Sequence, residues 1–231
     1  MNKNDAKTKS LFDLSKAMVG NIISRYEYPW ELLSDINKII DELVKIIPTY
    51  YTMIEENVWV GKDVYIEKTA LIKGPVVIGN NTEIRHGAFI RGKAVIGENC
   101  VIGNSTEIKN SILFDNVQVP HYNYVGDSIL GYKAHLGAGV KLSNVKSDKT
   151  LVTIKFDDKI EETGIKKVGS IIADNVEIGC NAVLNPGTVI GKNSIVYPLS
   201  FVRGTIGCNK ILKRNGEIVC LGVKNAKSNM K

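Results

Sequence analysis

The run Val76-Val77-Ile78-Gly79-Asn80-Asn81-Thr82-Glu83-Ile84, continued to Ile90, Ile96 and Ile102, sets a bulky apolar residue at every sixth position. Six helical residues rotate a side chain by about 240°, so no amphipathic helix has this period. In extended chain an even spacing keeps every such residue on one face. The beat extends outward to Val60, Ile66 and Ile72 on one side and to Ile108 and Phe114 on the other. It returns at Leu130, Leu136 and Leu142, then at Ile172, Ile178, Leu184, Ile190, Val196 and Val202. Glycines 61, 79, 97 and 103 directly follow the beat, and small or β-branched residues such as Thr82, Ala88, Ala94 and Thr106 stand two before it. The pattern predicts short strand, turn, short strand: a hexapeptide parallel β-helix with the apolar residues inside.

Two interruptions stand out. The spacing from Phe114 to Leu130 is not a multiple of six, which predicts four extra residues around Val119-Pro120-His121-Tyr122-Asn123-Tyr124-Val125-Gly126-Asp127. Breaks in an otherwise kept rule tend to mark function. Leu142 and Ile172 are thirty apart, so the chain leaves and rejoins in register. There Thr150–Lys155 and Lys159–Glu162 flank Asp157-Asp158, predicting a protruding hairpin over about residues 145–169.

Outside the repeat, residues 1–57 read as helical. Leu11, Leu14, Met18, Ile22 and Ile23 make one stripe; Pro29 opens a second, from Trp30 and Leu33 to Ile47, which Pro48 ends. The division predicted is thus a helical segment 1–57, a β-helix 58–205, and a C-terminal hairpin turning at Asn215-Gly216 with a basic tail, 206–231. The terminal segments are natural covers for the open ends of a stack, or oligomerisation elements.

Composition narrows the setting. The net charge of +6 lies mostly in residues 203–231, which hold seven Lys and Arg against one Glu. No aromatic-interleaved basic face accompanies that tail, so a solvated tail or contact with a phosphorylated ligand is expected rather than nucleic-acid binding. The basic N-terminus has no apolar h-region, so no signal peptide is expected, and no run is long enough for a membrane span. Cys100, Cys180, Cys208 and Cys220 form no CxxC pair, so reduced thiols in a cytoplasm are expected.

Hexapeptide β-helices as a class stack about 18 residues per triangular coil. On that spacing Lys73, Arg91 and Lys109 form one outward column. Like charges stacked ~4.8 Å apart repel unless an anion lies against them. A phosphate site and a solvated basic ladder both remain open on this evidence.

Thr106-Glu107-Ile108-Lys109-Asn110-Ser111, Pro120-His121-Tyr122-Asn123-Tyr124-Val125-Gly126-Asp127-Ser128 and Leu136-Gly137-Ala138-Gly139 resemble a known family. It is the acetyltransferase domain of the bifunctional N-acetylglucosamine-1-phosphate uridylyltransferase/glucosamine-1-phosphate acetyltransferases. The archaeal-type sugar-1-phosphate nucleotidylyltransferase/acetyltransferases are more similar still. The resemblance covers roughly residues 58–205. It implies an all-β domain with the left-handed parallel β-helix fold, a homotrimer, and acetyl-CoA bound between subunits as co-substrate.

It also implies roles. His121 matches the general base that relieves the attacking amine of its proton, and Glu107 a carboxylate that could orient the imidazole. Arg91, Lys109 and Lys167 match phosphate binders; Tyr124 and Asn144 match substrate contacts. The Ala138 backbone N–H matches the donor to the thioester oxygen. His135 stands where the family usually has a substrate-contacting asparagine. Residues 1–57 do not resemble the family's nucleotidyltransferase domain, so no uridylyl transfer is expected. The expected function is acetyl-CoA-dependent N-acetylation of an amino-sugar 1-phosphate. Two alternatives are a non-catalytic sugar-phosphate-binding or scaffold protein, and a γ-type carbonic anhydrase using His86, His121 and His135 on zinc. The spacing of the last two histidines does not suit that zinc class, and no metal is expected.

Overall fold

The computed structural model describes residues 1–222. Residues 58–212 wind into stacked coils whose short parallel strands line up as three sheets, the faces of a triangular prism. The first face holds Val58–Val60, Val76–Ile78, Ala94–Ile96 and their successors to Thr205–Ile206. The second runs from Tyr65–Ile66 through Gln118–His121 and His135–Leu136 to Lys210–Leu212. The third runs from Leu71–Ile72 through Glu107–Lys109 and Tyr124–Gly126 to Phe201–Val202. The β-helix expected from the period of six is the fold of this chain.

Burial explains the beat. Ile78, Ile84, Ile90, Ile96 and Ile102 are wholly buried inside the prism, each stabilising the fold by ~2–3 kcal/mol relative to exposure. Thr82 and Thr106, two before the beat, are buried as well. Thr82 donates its hydroxyl proton to the Gly97 carbonyl and accepts from the Cys100 N–H, so the small polar residue closes the corner. Between the first and second faces, Asn81, Asn99, Asn116, Asn175, Asn193 and Asn209 take φ of 54–62°. Asparagine enters that left-handed region more readily than most residues. Asn175 donates to Asn193, and Asn193 to Asn209, at 3.1 Å each, forming a ladder up the edge.

The register corrects the expected insertion near His121. Ile96 pairs with Leu113, and Leu113 with Leu130, so these coils are each one residue short of 18. No four residues are gained. One residue is lost at each of two corners between the third and first faces, where Asn110 and Asp127 adopt φ of 47° and 49°. Leu113 is therefore the inward residue. Phe114 falls in the column otherwise held by Gly79, Gly97 and Gly131, and its ring packs on Phe12 at 4.9 Å.

The N-terminal segment lies along the first face rather than over an end. The outward residues of that face, Val77, Val95, Ile112, Ile129, Ile171 and Val189, are apolar and at most 1% exposed. The Leu32–Val44 helix packs there with Leu33, Ile36, Ile40 and Leu43 buried. The expected single stripe from Leu11 to Ile23 is instead a series of short turns. Its backbone bonds the prism: Leu11 and Lys16 carbonyls accept from the Asp174 and Asp115 N–H groups, and Asp13 N–H donates to the Asp174 carboxylate at 2.7 Å. Tertiary bonds here take the groups that a continuous helix would use.

Inserted residues Thr153–Lys155 and Ile160–Glu162 pair antiparallel, and Phe156 meets Trp30 at 6.2 Å. Lys3 pairs with Glu161 at 2.7 Å, and the N-terminal ammonium with Asp157 at 2.6 Å, tying hairpin and N-terminus together. At the two ends of the prism, Thr52–Glu55 and Ile218–Cys220 add antiparallel strands. Each covers one open edge, the first strand of the first face and the last strand of the second. The last basic residues, Lys224, Lys227 and Lys231, lie outside the described residues. No helix among those described is long and apolar enough to cross a membrane.

Candidate functional site

The residues singled out from sequence fall at two corners of the third face. At the corner entering it, His121 ends its strand, exposed. Its N–H donates to Asn123 Oδ1 at 3.1 Å and its carbonyl accepts from Gly139 N–H at 2.9 Å. The imidazole has no hydrogen-bond partner among the described residues. Tyr122, next in sequence, has φ of 53°, uncommon for a bulky side chain. Asn123 is buried, its amide donating to the Gly137 carbonyl at 2.8 Å, and holds the turn in place. The Gly139 bond sets the Ala138-Gly139 turn one coil from His121, and the Ala138 N–H has no acceptor among the described residues.

At the corner leaving the face, a second cluster is built around Asp127, which is 4% exposed. Its carboxylate accepts from Lys109 Nζ and Asn110 Nδ2, both at 2.9 Å, and from Asn144 Nδ2. Asn144 Nδ2 also lies 3.2 Å from the Tyr124 hydroxyl. Asp127 follows Gly126 directly at the shortened corner, with its carboxylate against the Lys109 column. Lys109 and Asn144 thus meet on one carboxylate, and Tyr124 joins them through Asn144.

The column Lys73, Arg91, Lys109 stands as expected, because Ile72, Ile90 and Ile108 pair in register. Part of its charge is balanced within the chain. Arg91 Nη1 donates to Glu107 Oε1 at 2.6 Å, which raises the guanidinium further above its usual range. Asp127 takes Lys109, and Lys73 lies 5.7 Å from the centre of the Phe89 ring. Glu107 is therefore committed to Arg91 and is not bonded to the His121 imidazole it was expected to orient.

A cavity of about 420 Å³ opens at the Asp127 corner. Arg91, Lys93, Lys109, Asn110, Asp127 and Lys167 form one wall, and Leu33, Ser34, Ile36 and Asn37 of the helix form the other. Four cations face one carboxylate. Lys93 and Lys167 make no ion pair among the described residues, so the cavity keeps a net positive charge that suits an anionic group. His121 and Asp127 stand at opposite ends of the Tyr124–Gly126 strand, the imidazole before it and the cavity after it.

His135 is elsewhere. It projects from the second face, with Nδ1 2.7 Å from Glu177 Oε2, beside Gln118 and Lys133. His86 lies 2.7 Å from Thr69 Oγ1. Within one chain the three histidines are not gathered, and the described residues hold no cluster of three or more His, Cys, Asp or Glu able to bind a metal. A second cavity of about 420 Å³, between the hairpin and the third face, has Lys146, Lys155 and Arg203 in its wall. None of the residues implied by the resemblance except neighbours of Asn144 lines it.

Comparison with known proteins agrees with this architecture. Residues 55–157 match the family described as the EIF2B subunit epsilon LbH domain, and residues 169–204 match the bacterial transferase hexapeptide (six repeats). Both matches fall on residues of the stacked coils and their hairpin insertion, so the chain has the hexapeptide-repeat β-helix fold. A "Bifunctional protein GlmU" of Methanococcus maripaludis is 40% identical over 204 residues, spanning 86% of this chain and 49% of that protein. A "Bifunctional sugar-1-phosphate nucleotidylyltransferase/acetyltransferase" of Sulfurisphaera tokodaii is 33% identical over 192 residues, spanning 80% and 47%. The hexapeptide-repeat chain thus spans about half the length of the curated relatives it matches. Among solved structures, the UDP-N-acetylglucosamine acyltransferase of Francisella novicida aligns with a TM-score of 0.42 at 18% identity, covering 74% of this chain and 71% of that one.

Proposed function

We propose that this protein is an acetyl-CoA-dependent N-acetyltransferase acting on an amino-sugar 1-phosphate, working as a cytoplasmic homotrimer. The observation that carries the reading is the cationic cavity around Asp127, at the other end of the Tyr124–Gly126 strand from an exposed, unengaged imidazole. Relatives whose names include sugar-1-phosphate and acetyltransferase activities support it. So do large apolar side chains left exposed on the third face: Leu71 at 51%, Val183 at 39% and Phe201 at 71%. Such a face is suited to burial against another copy.

In this reading Arg91, Lys109 and Lys167 hold the phosphate, with Tyr124 and Asn144 against the sugar. The amine attacks the thioester carbonyl of acetyl-CoA, and His121 takes its proton as the C–N bond forms. The Ala138 N–H donates to the oxygen that gains negative charge. The C–S bond then breaks, and the proton held by His121 passes to the departing CoA sulfur. Glu107 fixes the Arg91 guanidinium rather than the base. His135, held by Glu177, meets substrate only if the site is completed across subunits.

The test is purified protein with acetyl-CoA and a panel of amino-sugar phosphates, read as free CoA thiol. Release dependent on both substrates is expected. Tight binding of a sugar phosphate without any CoA release would overturn the enzymatic reading in favour of a binding or scaffold role.

A further inference from the structure

We infer that the N-terminal segment is part of the substrate site: Ser34 and Asn37 of the Leu32–Val44 helix are specificity residues for the sugar whose phosphate Arg91 and Lys109 hold. The inference rests on the function proposed above and adds to it an element that the sequence reading treated as a cover.

Sequence places these two residues first. Leu33, Ile36 and Ile40 form the helix face buried on the prism, and Ser34 and Asn37, three apart, lie together on its flank. Both are exposed, and neither side chain has a hydrogen-bond partner among the described residues. Both nevertheless line the cavity, across from Arg91, Lys109 and Lys167. The helix is fixed there at atomic range, because Asn110 Nδ2 lies 3.2 Å from the Leu33 carbonyl and 2.9 Å from Asp127 Oδ1. One amide therefore bridges the helix and the carboxylate that positions Lys109.

The two walls differ in chemistry. The prism side offers ammonium and guanidinium donors, while the Asp127 carboxylate is already engaged by three nitrogens. Those groups suit a phosphate, which only accepts hydrogen bonds. Sugar hydroxyls both donate and accept, and need neutral partners that do the same. A serine hydroxyl and an asparagine carboxamide are such partners. Removal of both should leave phosphate binding intact and weaken only ligands that carry the sugar. With a merely solvated helix edge, binding of the sugar-bearing ligand would stay unchanged as well.

The experiment uses the full chain and isothermal titration with three probes: glucosamine 1-phosphate, inorganic phosphate and acetyl-CoA. In the Ser34→Ala/Asn37→Ala variant, affinity for glucosamine 1-phosphate should fall by roughly five- to a hundredfold, the worth of two neutral hydrogen bonds. Affinities for inorganic phosphate and acetyl-CoA, and the thermal midpoint, should stay at wild-type values. The Arg91→Ala/Lys109→Ala variant should lose both phosphate and sugar phosphate. If the cation variant loses binding and the helix variant stays within twofold of wild type, the inference falls and the proposed function stands. If neither variant loses sugar-phosphate binding, or the wild type has none, both fall.

Discussion

Asp127→Asn is the substitution whose effect the structure fixes most sharply. Asparagine matches aspartate in shape and tolerates the left-handed φ of 49° at this position, so the backbone contribution nearly cancels. What changes is the acceptor. The carboxylate receives Lys109, Asn110 and Asn144 together, with Asp127 at 5% and Lys109 at 22% side-chain exposure, so solvent screens the pair only weakly. An amide offers one oxygen and turns an N–H₂ toward a donor. Loss of the charge-assisted bond costs about 1.5–3 kcal/mol and one stranded donor about 1–3, giving a destabilisation of about 2.5–6 kcal/mol. For a chain of this size that corresponds to a fall of roughly 5–24 °C in thermal midpoint. The assay is urea and thermal unfolding of wild type, Asp127→Asn, Lys109→Met and the double variant. The cycle should give a coupling of about 1–3 kcal/mol between the two sites. Exposed Asp148→Asn should stay within about 0.5 kcal/mol of wild type. A value that small for Asp127→Asn, or zero coupling to Lys109, would refute the view that this carboxylate organises the corner.

Further outcomes follow from the same structure. His121→Ala should lower kcat on an accepted amino-sugar phosphate by roughly 10²–10⁴-fold with an unchanged thermal midpoint, because the imidazole is exposed and unbonded; near-wild-type turnover would remove it from the mechanism. Gly103→Ala should prevent normal folding, since a Cβ there would sit 1.6 Å from the Pro120 carbonyl oxygen, whereas Gly164→Ala meets no atom within 4 Å and should cost only the ~1 kcal/mol of its φ of 73°; soluble yield and circular dichroism report both. Lys3 holds the Glu161 carboxyl below its usual range by a hydrogen bond. That contribution is present above the unfolded glutamate value of ~4.3 and is lost as pH falls through the lower folded value. The stability gap between wild type and Glu161→Gln in urea titrations should therefore be open at pH 7 and close in acid; a gap constant down to acid pH contradicts the assignment.

Sequence alone determined the prism. A period of six on apolar residues has one economical solution, and once the coil spacing is adopted the columns follow, including the adjacency of Lys73, Arg91 and Lys109. The glycines after the beat were legible for the same reason, because the next coil approaches there too closely for a Cβ: 2.6 Å at Gly79 and Gly97. The covering of the first face was also written there, in the apolar column Val77, Val95, Ile112, Ile129, Ile171 and Val189, one before each beat. It passes unnoticed when only the beat itself and the residue after it are read.

Other features needed the tertiary structure. Leu113 and Phe114 are both apolar and both buried, so periodicity cannot say which one faces inward. Phe114 packs on Phe12, a residue about a hundred positions away, while Leu113 takes the inward place in register with Ile96 and Leu130. The same limit applies to charge. Spacing shows that cations stack, but not which carboxylate takes each one: Glu107, on the adjacent strand of the same face, takes Arg91, and Asp127, at the corner, takes Lys109. A repeat fixes which side chains share a face, because the backbone period does so locally. Which groups then bond depends on chain segments that no local period relates, and that part belongs to the folded structure.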